Sequence, residues 1–390
     1  MLENLEVLPP DPILGLIAAF AEDSNPHKID LGVGVYQDDA GRTPVMRAVL
    51  DAEARLLATE GSKSYLPPAG ESSFNTGMQQ LLLGEDCAAR YGSRLASIQT
   101  PGGCGALRIG AEVIHRSNPA TRVWVSDPTW PNHMPLLGSA GLALETYPYY
   151  DFEGHQLDFE AMVARLQQVQ AGEVVLLHGC CHNPSGADLN LEQWQAVTDL
   201  ALERGFTPFV DVAYQGLGAG LEADAAGWRY MAERVPEMLI ASSCSKNFGL
   251  YRERTGALVL LAETEQAAAA GRSQALSAAR QSYSMPPSHG ALVAGMILQD
   301  GKLRESWQGE LEQMRGRIVQ MREAVVEQLG SDFAFIREEF GMFSFLGINH
   351  AQVQRLREEY GIYMVDSTRI NLAGLNANNL DYFVTAMRSL

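Results

Sequence analysis

In the run SSCSKNFGLYRERTG one lysine, Lys246, follows an apolar stretch, MLIAS, and is hemmed by Ser243, Ser245, Asn247 and Phe248, with Arg254 further along. A lysine desolvated at a strand end holds its proton less tightly and can form a Schiff base with a carbonyl. If that carbonyl belongs to pyridoxal phosphate, other parts are required: an acid for the pyridine nitrogen, an anion cradle, and groups for the ring oxygen and ring face. Each part has a candidate. Asp211 ends TPFVD, where a buried carboxylate needs a partner. Tyr214 in DVAYQG and Asn183 in HNPSG can hydrogen-bond a ring hydroxyl, and Trp130 in SDPTWPNH offers a flat apolar face. In PGGCGALR, Gly102, Gly103 and Gly105 allow a tight turn into a helix whose free N–H groups can meet a phosphate. Taken singly, these residues serve as well for a helix cap, a core aromatic or a turn; gathered at successive strand ends, they point to a site. The glycines do not make a dinucleotide fingerprint, because the third glycine position is Arg108.

The elements that must carry these groups alternate. Val123–Ser126, Val174–His178, Thr207–Val212, Met238–Ser242 and Ala257–Leu261 read as strands too uniformly apolar to be half-exposed. Helical periodicity falls at Ala106–His115, Leu191–Arg204, Thr264–Ala279 and from about Lys302 to Leu329. This order predicts a mostly parallel α/β sheet covered on both faces, with its site at the carboxyl ends of the strands. Beyond about residue 310, GMFSFLGI and TRINLAGL read as short strands around a helix at Ala351–Tyr360, a second α+β unit. Pro9, Pro10 and Pro12 predict an extended opening arm.

Composition excludes several classes. With 390 residues, 46% of them apolar, the chain can bury a large core, and it holds no apolar run long enough to span a bilayer. The 29 Lys plus Arg against 47 Asp plus Glu leave a net charge of −18, without the basic footprint nucleic acid demands. Cys87, Cys104, Cys180, Cys181 and Cys244 form no CxxC pair and fit reduced thiols. His178 and His182 flank Cys180 and Cys181, but cofactor motifs already account for that segment and no metal is expected. The start of the chain, with Glu3 and Glu6 where a signal peptide is basic, predicts a cytoplasmic protein.

HNPSG, DVAYQG and SKNFGLYRERTG, with LGVGVY, QTPGG, SDPTWPNH, RQSYSMPPSHG and GMFSF, resemble the class I aspartate and aromatic amino acid aminotransferases, in matching order from residue 31 to TRINLAG at 368. The resemblance implies the fold type I architecture of pyridoxal-phosphate enzymes: a large domain with a mostly parallel seven-stranded sheet covered by helices, and a smaller α+β domain. The implied boundaries are an arm at 1–14, the small domain at 15–44 and 311–390, and the large domain at 45–310. It further implies a homodimer with shared sites. Position by position, Lys246 would anchor the cofactor and move the substrate Cα proton. Asp211 would keep the pyridine nitrogen protonated, Asn183 and Tyr214 would bond the ring oxygen, and Trp130 would stack on the ring. Gly103, Cys104, Ser243 and Arg254 match phosphate-binding positions, and Tyr65 a tyrosine reaching the neighbouring subunit's phosphate. Arg369 matches the arginine that grips the α-carboxylate, Arg280 one lent to the distal carboxylate by the other subunit, and Gly34 a mobile segment over the substrate. His133 matches a histidine behind Asp211.

Two positions depart from the pattern. Cys104 stands where the family usually has Thr or Ser, a weaker donor, and Met285 stands where aspartate-specific members typically have Asn; Gln37 and Ser64 also differ. The expected activity is a ping-pong transamination from an L-amino acid to 2-oxoglutarate, giving glutamate and a 2-oxo acid. An aromatic or dual-range donor specificity is favoured over strict aspartate use. A β-lyase or decarboxylase on the same cofactor, or a nicotinamide dehydrogenase, are the competing expectations.

Overall fold

The computed structural model describes residues 1–7 and 12–390. Its central seven-stranded sheet comprises β1 (Leu95–Pro101), β2 (Arg122–Asp127), β3 (Ala143–Pro148), β4 (Val174–His178), β5 (Thr207–Val212), β6 (Met238–Ser243) and β7 (Thr255–Leu261). In space the order is β1-β7-β6-β5-β4-β2-β3. All pairs are parallel except those of β7, which runs against both neighbours. The main helices are α1 (Pro12–Glu22), α2 (Gly102–Ser117), α3 (Leu191–Arg204), α4 (Glu265–Ser282), α5 (Gly301–Leu329) and α6 (His350–Tyr360).

Both faces of the sheet are buried. Along β4, Val175 and Leu177 enter one apolar cluster and Val174 and Leu176 another; on β5, Val210 and Phe209 divide in the same way. A strand covered on both faces has no reason to alternate with polar residues, which is why the inner strands read as unbroken apolar runs. β1 and β3, absent from those runs, occupy the two edges of the sheet, and β3 is largely exposed. Trp194 and Val197 of α3 seal one face, and Ala106 and Ile109 of α2 with Ala275 and Ala279 of α4 seal the other. α2 sits close because Gly110 has no side chain: a Cβ there would stand 2.5 Å from Phe209 Cζ.

A third apolar cluster joins Ile29 and Leu31 to Val325, Ile336, Val353, Leu356, Ile370 and Phe383, drawing on both ends of the chain. α5 spans two cores, contributing Met314 and Ile318 to the first cluster and Val325 and Val326 to the third. Here Ile29–Asp30 pairs with Ile362–Tyr363, and β8 (Phe343–Phe345) pairs antiparallel with β9 (Arg369–Asn371). Pro12, expected in an extended arm, instead opens α1; at the first helical position its missing N–H costs no bond. The expectation for Pro9 and Pro10 lies outside the described residues. Among the described residues no helix is long and apolar enough to cross a membrane.

The register sets up the site. His178 pairs with Asp211, Asp211 with Ala241, and Gly256 with both Ser243 and Thr100. The carboxyl ends of β1, β4, β5 and β6 therefore share one edge. Because β7 is reversed, its start, with the adjoining Arg254, shares that edge too.

Candidate active site

From this edge Lys246, in the turn after β6, projects with Nζ 4.7 Å from the centroid of the Tyr214 ring. Burial depresses its proton affinity; the Asp211 carboxylate works the other way without reversing the shift. Asp211 is 7% exposed and its Oδ2 lies 3.0 Å from His133 Nε2. Burial favours its neutral form, but the His133 hydrogen bond, reinforced by neighbouring positive charge including Lys246, outweighs it and holds the carboxyl below its usual range. Behind it the Thr129 hydroxyl bridges His133 Nδ1 (2.8 Å) and His178 Nε2 (3.1 Å). Burial and repulsion from His133 bring His178 down to about 3.

Lys246, Asp211, Tyr214, Asn183, Trp130 and Gly34 line a cavity of about 250 Å³, whose far wall is Gly103, Cys104, Ser243 and Arg254. The chain thus gathers almost every predicted site residue. Arg369 joins them through Asn183: its Nη1 donates to Asn183 Oδ1 (3.1 Å) and its Nη2 to the Gly32 carbonyl (2.6 Å). Three predicted residues do not line this cavity: Arg369, which borders another one, Tyr65 and Arg280. Tyr65 is 92% exposed and lines a separate cavity with Met285; Arg280 is exposed and bonds Ser284.

Whether pyridoxal phosphate suits this cavity is decided at its two ends. A Cβ on Gly102 would lie 2.5 Å from Arg254 Nη2, and one on Gly103 3.1 Å from Ser243 Cβ. Glycine therefore keeps a hollow open at the start of α2, where backbone N–H groups, the Ser243 and Ser245 hydroxyls (3.0 Å apart) and the Arg254 guanidinium meet, a donor set for a phosphate. At the opposite end Asp211, engaged by His133 alone among the described side-chain donors, keeps accepting capacity for a protonated ring nitrogen. The residues fit the cofactor. Cys104 is the weak point: burial raises its thiol pKa, and Asn132 Nδ2 donates to Sγ at 3.9 Å.

The residues that suggested a metal are engaged otherwise. His182 faces the hydroxyls of Ser126 (3.2 Å) and Ser185 (2.8 Å) and stacks on Tyr149. The Cys180 and Cys181 thiols gather with Asp224, their ligand atoms within 4.8 Å of one another. That carboxylate already accepts the N–H groups of Gly216, Gly218 and Ala219, and burial pushes the Cys181 thiol up to about 11, where it is protonated and a poor ligand.

Sequence reasoning missed Tyr251 and Phe343. Tyr251 lines the cavity and its hydroxyl accepts the Tyr36 N–H at 2.9 Å, tying LGVGVY to the site. Its signal was an aromatic just after Lys246, inside the motif itself. Phe343 packs against Gly34, where a Cβ would stand 2.8 Å from its Cζ.

Comparison with known proteins agrees with this geometry. The pattern of the family aminotransferase class I and II matches residues 26–387. Aspartate aminotransferase of Salmonella typhi is 49% identical over 97% of each chain. Aromatic-amino-acid aminotransferase of Paracoccus denitrificans is 48% identical over 99% of each. The crystal structure of aromatic-amino-acid aminotransferase from Burkholderia pseudomallei, covalently bound to pyridoxal phosphate, superposes with a TM-score of 0.97 at 43% identity, covering 100% of this chain and 99% of that one. The chain belongs to the class I and II aminotransferases, a family of pyridoxal-phosphate enzymes.

Proposed function

We propose that this transaminase moves the amino group of aromatic L-amino acids, and of aspartate, to 2-oxoglutarate. The carrying observation is the cavity lined by Lys246, Asp211 and Asn183, at whose margin Arg369 Nη1 donates to the Asn183 amide oxygen. Bound pyridoxal phosphate supplies an electron sink for the charge that develops at substrate Cα. The chain's residues do the rest. Arg369 grips the α-carboxylate with its planar fork and fixes the direction of the Cα–H bond. Lys246 Nζ, its proton affinity lowered by burial, takes the Cα proton and returns it. Asp211 would hold the ring nitrogen, Asn183 and Tyr214 the ring oxygen, and Trp130 would cover a ring face. Gly103, Cys104, Ser243 and Arg254 would hold the phosphate, and Gly34 would lie over the substrate.

Relatives named for aspartate and for aromatic donors stand at 49% and 48% identity, so overall identity does not rank the donors. Cys104 and Met285 favour the wider range. In single-turnover half-reactions followed by cofactor absorbance, phenylalanine and tyrosine are expected to convert at rates within about tenfold of aspartate. Aspartate faster by orders of magnitude would overturn the dual range, and conversion of none would overturn the transaminase reading.

The site is completed by a second copy. Tyr65 and Arg280 do not line this chain's pocket, and Leu57 (86% exposed) and Leu50 leave apolar surface exposed on the helix Arg47–Thr59. Sedimentation equilibrium is expected to give twice the 42.5 kDa chain mass; a fully active monomer would exclude the shared site. The free thiols support a reducing, cytoplasmic setting.

A further inference from the structure

Arg322, toward the end of α5, is 3% exposed, and no step above uses it. A buried guanidinium is costly unless its N–H groups find acceptors. Those acceptors lie on one short stretch of chain. Nε and Nη2 donate to the Gly341 carbonyl (3.0 and 2.8 Å), Nη1 to that of Ile336 (2.7 Å), and Nη2 also to those of Phe340 (3.1 Å) and Phe343 (2.6 Å). Glu339 supplies the counter-charge, with Oε2 3.4 Å from Nη1, and is itself held by the hydroxyls of Tyr150 and Ser344. Only a planar fork reaches so many carbonyls at once; an ammonium does not.

What the fork fixes is Phe343. Its ring centroid lies 4.4 Å from the Arg369 guanidinium and 5.8 Å, edge-on, from the Tyr214 ring. Its carbonyl faces Gly186, where a Cβ would stand 2.4 Å from that oxygen, and the Gly186 carbonyl accepts the Phe340 N–H at 2.7 Å. The stretch bearing Phe343 and the HNPSG turn bearing Asn183 are thus fastened together. The ring under Arg369 and the amide oxygen it donates to are both set from Arg322.

We propose that Arg322 is a positioning residue for the reaction: acting through the Phe343 carbonyl, it fixes the orientation in which Arg369 receives the substrate α-carboxylate. This rests on the assignment of Arg369 made above. A residue that merely holds the fold together spreads its loss over thermal stability, cofactor affinity and turnover, whereas a positioning residue concentrates it in KM.

The test compares Arg322→Lys, Phe343→Leu, their combination and Arg369→Lys in the holoenzyme, reading KM and kcat for phenylalanine, aspartate and 2-oxoglutarate, cofactor affinity by absorbance titration, and Tm. Arg322→Lys keeps the charge beside Glu339 but not the fork. It is expected to raise KM for donors and acceptor by about 10-fold or more, with kcat and cofactor affinity changed far less. If Arg322 acts through Phe343, the combined variant is no worse than the more severe single one. Multiplying effects, or an unchanged KM in Arg322→Lys, overturn the proposal. Should Arg322→Lys fail to fold, Phe343→Leu alone decides: the same rise in KM supports it and an unchanged KM overturns it. Arg369→Lys keeps the two failures apart. If KM is unmoved there, the assignment of Arg369 falls and the proposal with it; if KM rises there and not in Arg322→Lys, only the proposal falls.

Discussion

Replacing Lys246 with Ala all but stops transamination, lowering kcat by about 10²–10⁴-fold, while pyridoxal phosphate stays bound without a covalent link. The two outcomes separate because the cavity divides the duties. On the proposed assignment, phosphate and ring would be met by groups other than the lysine: the hollow at Gly102 and Gly103, Ser243, Arg254 and Asp211. Proton transfer has no substitute close by. Tyr214, whose ring centroid lies 4.7 Å from Lys246 Nζ, is pushed above its ordinary value by burial, so it holds its proton at neutral pH. Lys246→Arg sharpens the point. A guanidinium keeps the positive charge but stays protonated and forms no Schiff base, so its loss should match that of Ala. If electrostatics alone explained the lysine, Arg would retain most of the activity. Turnover and the absorbance of the desalted protein read both predictions, and an Ala variant within tenfold of the parent would refute the assignment of Lys246.

The fold and much of the pocket were legible in the sequence for a physical reason. The inner strands are buried on both faces, so Val174–Leu177 and Pro208–Val210 stand out as apolar runs. Their polar punctuation, Asn183, Asp211, Tyr214 and Lys246, marks the ends where the backbone leaves the core. That same uniformity hides direction. Nothing in Thr255–Leu261 says that it runs antiparallel, yet the reversal is what brings Arg254 to the phosphate end. The edge strands β1 and β3 carry too many polar residues to register as runs. α2 begins at Gly102, earlier than Ala106, because glycines with poor helix propensity supply its first turn. Arg322 was illegible for a different reason. On α5, a long helix rich in Glu and Arg, it looks like one more solvated charge, and its burial depends on carbonyls from the segment after that helix. The partners are neighbours in space, and no sequence period records them.

Replacing Asp211 with Asn lowers kcat by about 10²–10³-fold, with KM for the amino donor little altered. The amide has the size of the carboxyl and can still accept from His133 Nε2, now 3.0 Å from Oδ2, so the geometry survives and the charge is what disappears. On the proposed assignment that charge would stabilise the protonated ring nitrogen, which matters most as negative charge builds at substrate Cα, hence the expected loss in kcat. A second effect follows at Lys246. The Asp211 carboxylate raises the lysine's proton affinity against the stronger effect of burial; without it the lysine loses its proton at still lower pH, and the acid limb of the activity profile moves down. Stability carries an independent sign. The folded pKa of Asp211 lies below its reference of 3.8, so the carboxylate adds stability that is present above the unfolded pKa and is lost as pH falls through the folded one. The Asn variant has no such contribution. Denaturation midpoints of the parent and the variant should therefore differ at neutral pH and converge in acid. Midpoints that stay parallel down to acid pH, or a kcat within tenfold of the parent, would mean that the buried anion is not what drives the chemistry at this edge of the sheet.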